Sequence, residues 1–336
     1  MANLSVDVLR GGLVESVHRV SAAVVDPTGR LIAAAGNPRL LTYWRSAAKP
    51  FQALPLVEDG VLSHFKLGAD ALALACASHS SEPRHLELTD RMLERIGCTE
   101  ADLACGPHPP LNPEVAQRVN RDGTRLTPRW SNCSGKHAGM LALARHHGWQ
   151  TRGYEQAGHP VQERILEVVL RWTGLDRERL VQGIDGCTTV CFGLPVAAMA
   201  RAYAALASGE TAGLREVREA MLAHPELVAG EGRFCTEVMR ALPGAVIAKV
   251  GAEGIHCAAL PAAGLGVALK VEDGDMRASA PALLLVLDQL AEHLPGSFPP
   301  GADTLREWRQ APLLNTRQVP VGETHATGSL QFFAAR

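Results

Sequence analysis

Ala245-Val246-Ile247-Ala248-Lys249, Ile255-His256-Cys257-Ala258-Ala259-Leu260 and Leu265-Gly266-Val267-Ala268-Leu269-Lys270-Val271 are three short apolar runs joined by Gly-containing connections. Runs of this length and composition predict strands, and the short connections make them antiparallel neighbours. A helix over 280–294 follows. At the other end of the chain, Val17-His18-Arg19-Val20-Ser21-Ala22-Ala23-Val24-Val25 and Arg30-Leu31-Ile32-Ala33-Ala34-Ala35 flank Asp26-Pro27-Thr28-Gly29, which reads as a β-hairpin around a turn. Between the termini, apolar residues recur at three- and four-residue spacing over 51–62, 82–96, 136–147, 160–173 and 193–207, predicting helices. Strands at both ends with helices between them predict one antiparallel sheet built from both termini around a helical region, so α/β or α+β in class. The whole of 1–336 is read as a single unit. Its soft subdivision is a sheet region, 1–80 plus 240–336, and a mainly helical region, 81–239.

The composition narrows the function. Of 336 residues 46% are hydrophobic, with 33 basic against 35 acidic side chains and a net charge of -2. That describes a globular chain with no basic field for nucleic acid or anionic lipid, so neither partner is expected. The start, Met1-Ala2-Asn3-Leu4-Ser5-Val6-Asp7, lacks the basic and continuous apolar regions of an export signal, and a cytoplasmic location is expected. The most apolar window, 280–294, carries Asp288, Glu292 and His293 and is shorter than the roughly 20 apolar residues of a membrane span. Eight cysteines without a C-x-x-C pair are read mainly as free thiols. With only 4% aromatic residues, the core must be built of Ala, Leu and Val.

Three motifs could carry chemistry. Arg45-Ser46-Ala47-Ala48-Lys49-Pro50 contains S-x-x-K, which at a helix start sets the Lys49 amine on the face of the Ser46 hydroxyl. A serine becomes a useful nucleophile when a neighbouring base takes its proton. Pro50 denies the Ser46 carbonyl its i+4 donor, so this first turn is expected to be distorted. Cys76-Ala77-Ser78-His79-Ser80-Ser81-Glu82-Pro83 reads equally well as a helix cap or as a functional cluster. Lys249-Val250-Gly251 ends a strand with a glycine that lets a substrate lie close to the backbone. In chain order these are S-x-x-K, S-x-S and K-x-G, the order of the S-x-x-K, S-D-N and K-T-G set of penicillin-recognising serine enzymes. Ser80 stands where that set has Asn, and Val250 where it has Thr. A fourth group, Trp130-Ser131-Asn132-Cys133-Ser134-Gly135-Lys136-His137 with Gly183-Ile184-Asp185-Gly186-Cys187, has Cys133, His137, Asp185 and Cys187 as possible zinc donors. Its other reading is a Gly-rich turn capping a helix, with the cysteines packed as small apolar residues.

Together these blocks resemble the class 3, or rhizobial-type, L-asparaginases, the asparaginase II family. The resemblance continues through Cys105-Gly106-Pro107-His108, Val228-Ala229-Gly230-Glu231-Gly232-Arg233-Phe234 and Lys249-Val250-Gly251-Ala252-Glu253-Gly254, and so spans about 40 to 275. It implies a serine β-lactamase- and glutaminase-like fold, a homodimer and two Ser–Lys pairs: Ser46 as nucleophile with Lys49, and Ser78 with Lys249. It also implies one zinc per chain on Cys133, Lys136 and Cys187, with Asp185 close by. Lysine is an unusual ligand, because only its neutral amine can donate to a metal. Ser81 stands where the family's pattern has glycine.

The function expected on that basis is hydrolysis of L-asparagine to L-aspartate and ammonia through an acyl-enzyme on Ser46. Neutral Lys49 accepts the serine proton, Lys249 supplies a second cation, and Ser78 relays a proton to the leaving ammonia. The backbone N–H of Ser46 and one on the 249–254 strand are expected to hold the oxyanion. Glu253 or Asp185 is expected to meet the substrate α-ammonium, and Arg45 or His137 the α-carboxylate. His79 and Asn132 complete the expected substrate-facing set. A glutaminase, a penicillin-binding or β-lactamase-type enzyme, a metal-hydroxide amidohydrolase at Cys133 and Cys187, and a non-catalytic zinc or thiol module remain alternatives.

Overall fold

The strand Leu13–Val25 is the spine of a nine-stranded sheet. Its first part pairs with Leu4–Arg10, from Leu4↔Val20 onward. Its last residues, Ala22 to Val25, take Leu31–Ala35 on the same edge, while Val20 to Val25 pair with Leu265–Val271 on the other. The sheet continues through Ile255–Leu260 to Ile247–Gly251, and beyond Leu4–Arg10 through Pro320–Gly328 to Pro312–Leu314. Each of these pairings is antiparallel, and the strands come from both ends of the chain, as the terminal runs predict. This computed structural model describes residues 2–294 and 303–334.

The chain divides into two units. The first, Met1–Ala47, Leu194–Ser208 and Val238–Arg336, contains this sheet. Ile255–Leu260 and Leu265–Val271 are buried at every position, so both faces of the sheet are covered there. The helices Val196–Ser208 and Ser279–His293 pack on these strands. Gly266 permits the first approach: a Cβ there would lie 2.0 Å from the Ala200 carbonyl oxygen and 2.2 Å from the Ala204 nitrogen. Trp44 and Tyr203 meet edge to face at 6.3 Å, and the Tyr203 hydroxyl donates to the Ala47 carbonyl at 2.8 Å.

The second unit, Ala48–Gly193 and Gly209–Glu237, is mainly helical. Its centre is Ser134–His147, buried from Ser134 to Ala144. Gly135 and Gly139 let neighbours in: a Cβ on Gly135 would meet Leu74 at 2.5 Å, and one on Gly139 would meet Leu56 at 3.0 Å. Lys49–Glu58, Ala69–Ala75, Pro83–Arg95 and Pro160–Thr173 pack around it. A ribbon of Val181–Ile184 and Val190–Pro195, paired from Val181↔Gly193 to Ile184↔Val190, presents residues 185–189 as a tight loop.

Two predicted helices change their limits. The one expected over 51–62 starts at Lys49 and stops at Glu58, because Gly60 turns the chain at φ 74 before the short helix Val61–His64. The one expected over 193–207 starts only at Val196, because the β-rich run ending at Pro195 pairs as a strand. The strands Leu4–Arg10 and Pro320–Gly328 and the helices Ala69–Ala75 and Ala212–Ala223 add elements that periodicity alone does not predict. Among the described residues none of the eight cysteines is joined in a disulfide.

Candidate active site

Lysine is almost never fully buried without a partner, and Lys49 has none of its surface exposed. It opens the helix Lys49–Glu58, just after the 3-10 turn Arg45–Ala48 that carries half-buried Ser46. This short turn is the distortion that Pro50 predicts. The Lys49 Nζ donates to the Ala77 carbonyl at 2.5 Å and to the Ser78 Oγ at 3.1 Å. The structure therefore joins two motifs that lie 29 residues apart in sequence.

The loop around Ser78 is fixed from several sides. The Ser78 N–H donates to the Val228 carbonyl at 2.9 Å, and the His79 N–H to that of Asn132 at 3.1 Å. Ser81 takes the left-handed region at φ 57, which favours glycine. Two local bonds hold it there: its N–H donates to His79 Nδ1 at 3.2 Å, and its hydroxyl to the Trp130 carbonyl at 2.8 Å.

His79 is wholly buried, and its ring is used inside the fold. Because Nδ1 accepts from Ser81, the proton sits on Nε2, which donates to Ser134 Oγ at 2.9 Å. Ser134 then donates to Thr89 Oγ1 at 3.2 Å, and Thr89 to the His85 carbonyl at 2.9 Å. His85 stacks on His79 at 5.1 Å, accepts the Glu82 N–H on Nδ1 and donates from Nε2 to the Glu226 carbonyl. Burial pushes both imidazoles down, His85 to about 4. In the sheet unit, burial and the Lys249 cation hold His256 at about 3.

These depressed values fix the sign of a pH effect. An unfolded histidine binds its proton near pH 6.5, so the contribution of His85 and His256 is complete above that pH. It is lost as pH falls toward 4 and then 3. Unfolding free energy from urea titrations is expected to decline from pH 6.5 to 4.5, at up to roughly 1.4 kcal/mol per pH unit for each such histidine. A flat profile across that range would contradict the assignment.

The second cluster joins Cys133, Lys136 and Cys187. Lys136 Nζ donates to Cys187 Sγ at 2.9 Å and to Thr189 Oγ1 at 2.8 Å. The Cys133 thiol bonds to Cys187, which holds Cys133 well above the usual thiol value and Cys187 well below it; Lys136 and His137 also favour the Cys187 thiolate. Burial alone would lower Lys136, but the neighbouring negative charge, chiefly of Cys187 with Asp185 adding to it, outweighs it and Lys136 is held up as an ammonium. The lysine therefore faces an anion. The Lys49 charge also acts on Cys133, so the two clusters are electrostatic neighbours. His137 is fully buried; the Tyr154 hydroxyl accepts from the Ala104 N–H at 3.0 Å and donates to His137 Nδ1 at 2.5 Å. Burial lowers the His137 pKa against the pull of Cys187, so the ring is not a ready cation.

The other expected site residues are placed as follows. Asn132 precedes the cluster directly and is half-buried. Half-buried Asp185 begins the ribbon loop, accepts the Gly186 N–H at 2.8 Å and acts electrostatically on Lys136. Lys249 is buried on the strand Ile247–Gly251, opposite Cys257, and donates to the Val250 carbonyl at 2.8 Å. Arg45 has φ 54 and is half-buried, whereas Glu253 has φ 60 and is exposed in the turn before Ile255–Leu260.

Three residues of these clusters escape sequence reasoning. Thr189 lies two positions after Cys187 in the ribbon loop, where Thr188 turns the chain at φ 76 and no strand periodicity marks the pair. Tyr154 gives no local signal. Arg233 is visible only as part of Glu231-Gly232-Arg233, and its guanidinium donates to Ser80 Oγ at 3.1 Å.

The class these features point to is an amidohydrolase. A family model described as L-asparaginase II matches residues 6–326, and the chain belongs to that family. A comparison with curated proteins finds no match. Among solved structures, a β-lactamase from Mycobacterium bovis is similar at 15% identity and TM-score 0.41, over 76% of this chain and 88% of its own. A putative β-lactamase from Bacteroides dorei is similar at 13% identity and TM-score 0.38, over 80% and 84%. Mglu in its native form is similar at 19% identity and TM-score 0.34, over 84% and 66%. These three stand as distant similarities only.

Proposed function

We propose that the protein is an L-asparaginase that hydrolyses L-asparagine to L-aspartate and ammonia through a Ser–Lys activated nucleophile. The observation that carries this reading, within the L-asparaginase II family, is the buried Lys49 amine bonded to the Ser78 hydroxyl. In this scheme Ser46 attacks the side-chain amide carbon, and Lys49 in its neutral form receives the serine proton. The Lys49–Ser78 hydrogen bond then offers a route for that proton toward the departing ammonia. Water on the acyl-enzyme completes the cycle by the reverse transfers. Lys249 supplies the second buried cation of the scheme.

The second cluster fits a thiolate-binding divalent metal. Among the described residues no group of three His, Cys, Asp or Glu side chains forms a metal site, but two sulfurs and an amine converge when Lys136 is counted. Cys133, Lys136 and Cys187 would hold zinc, and Cys133 and Lys136 would each give up a proton to do so. When bound, the metal would supply positive charge that helps to orient the substrate. Its role is support rather than attack. A homodimer in the cytoplasm, acting on a small-molecule substrate without nucleic acid or membrane partners, completes the proposal. Among the described residues no helix is long and apolar enough to cross a membrane.

The test is ammonia release from L-asparagine and L-glutamine by purified protein, with metal content measured on the same sample. Release from asparagine is expected to exceed that from glutamine. Chelation is expected to raise KM more than it lowers kcat. Loss of kcat with KM unchanged would move the chemistry to the metal, and no release from asparagine would end the asparaginase reading.

A further inference from the structure

Arg233 follows a loop that clasps the Ser78 segment. Ser78 donates its N–H to the Val228 carbonyl, Ser80 donates its hydroxyl to the Ala229 carbonyl at 2.8 Å, and the Glu231 N–H donates to Glu82 Oε1 at 2.9 Å. Gly230 makes the clasp possible: at φ 124 a Cβ there would meet Glu82 Oε1 and Ser80 Oγ at 2.6 Å. The loop thus delivers the Arg233 guanidinium to Ser80, two residues from Ser78.

The guanidinium has an unusual environment. Its side chain makes one hydrogen bond among the described residues, to the neutral Ser80 hydroxyl, and no ion pair. Glu82, the carboxylate acting on it through space, is engaged by the Glu231 N–H and by Arg84 at 3.4 Å. Burial depresses the Arg233 pKa, the sign of a cation that the fold does not neutralise. Arg233 is half-buried, and a partly desolvated cation without a paired carboxylate is left for an anionic ligand to meet. The two buried lysines of these clusters are committed, Lys49 to Ala77 and Ser78, and Lys136 to Cys187.

We propose that Arg233 binds the α-carboxylate of the amino-acid substrate, with Ser80 holding one edge of the guanidinium so that its free N–H groups face the anion. This rests on the asparaginase reading and deepens it: the site then selects amides that carry a free α-carboxylate over amides that lack one. A planar guanidinium can meet a carboxylate with two parallel bonds, which lysine cannot do.

The experiment compares kcat/KM for L-asparagine with that for β-alaninamide, which is asparagine without its α-carboxylate. In Arg233→Gln the ratio of the two is expected to fall by about 30- to 1000-fold, the loss typical when one partner of a buried charge pair is removed. The change should lie chiefly in KM for asparagine. Arg233→Lys keeps the charge and is expected to retain part of the ratio; it also serves if the glutamine variant does not fold. A merely structural arginine would lower both amides together, and a ratio within twofold of wild type in a folded variant overturns the proposal. Failure of the wild type to release ammonia from asparagine overturns the asparaginase reading and this proposal together. Wild-type turnover with an unmoved ratio overturns only the role of Arg233.

Discussion

Lys49→Met is expected to lower kcat for L-asparagine by about 10²- to 10⁴-fold, the range typical of a lost general base, while the protein still folds. The amine lies in a fully buried position and donates to the Ala77 carbonyl and the Ser78 hydroxyl. Methionine fills most of the same space, and removing the buried amine also removes its desolvation cost. Stability is therefore expected to change far less than activity. Ser46→Ala should cause a comparable loss, and the double variant should be little worse than either single one, because residues acting as a unit lose their effect together. Initial rates of ammonia release, with circular dichroism and thermal unfolding on the same samples, check the set. Multiplicative losses would mean that Ser46 and Lys49 act separately.

Cys187→Ala is expected to destabilise the metal-free protein by about 3–5 kcal/mol, because it leaves the Lys136 ammonium buried without its anion. Thr189 would remain as a neutral partner at 2.8 Å, too weak to replace a thiolate. Lys136→Met added to Cys187→Ala should recover most of the loss, since a pair replaced by apolar groups costs little. Urea unfolding with chelator present measures both. A single variant within about 1 kcal/mol of wild type would show that the pair is not charged in the metal-free state.

The parts of the fold legible in the sequence were those whose local signals agree with their packing. Pro160–Thr173 lies where periodicity puts it, because Pro160 opens the first turn and Gly174 closes the last at φ 67. The strands of 247–271 were legible because burial on both faces makes them continuous apolar runs. Pro320–Gly328 was not legible: Pro-Val-Gly-Glu-Thr-His-Ala-Thr-Gly is a poor strand sequence, and it becomes one through its register with Leu4–Arg10. The same division holds in the candidate site. Motif order marked Ser46, Lys49, Ser78 and Lys249, but only the fold brings Lys49 to Ser78. Local spacing offered His137 and Asp185 as zinc donors beside the cysteines. It gave no reason to consider Lys136, whose place came from the family resemblance, and the structure sets its amine against Cys187. Arg233 was invisible because nothing in its own neighbourhood says that its charge is left without a carboxylate.

The register of the central sheet has a consequence for biosynthesis. Val20 pairs with Val271 and Leu4 with Gly328, so the first strands made are joined by some of the last. Nearly the whole mainly helical unit, residues 48–193 and 209–237, leaves the ribosome before those partners exist. Helices rich in local contacts can close early, while pairings of such long sequence separation form late. The side of Val20 to Val25 that will meet Leu265–Val271 must then wait as an open, mostly apolar strand edge, the kind of nascent segment that other chains can capture. The yield of folded protein should therefore depend more on temperature and chaperone supply during synthesis than the stability of the finished molecule would suggest.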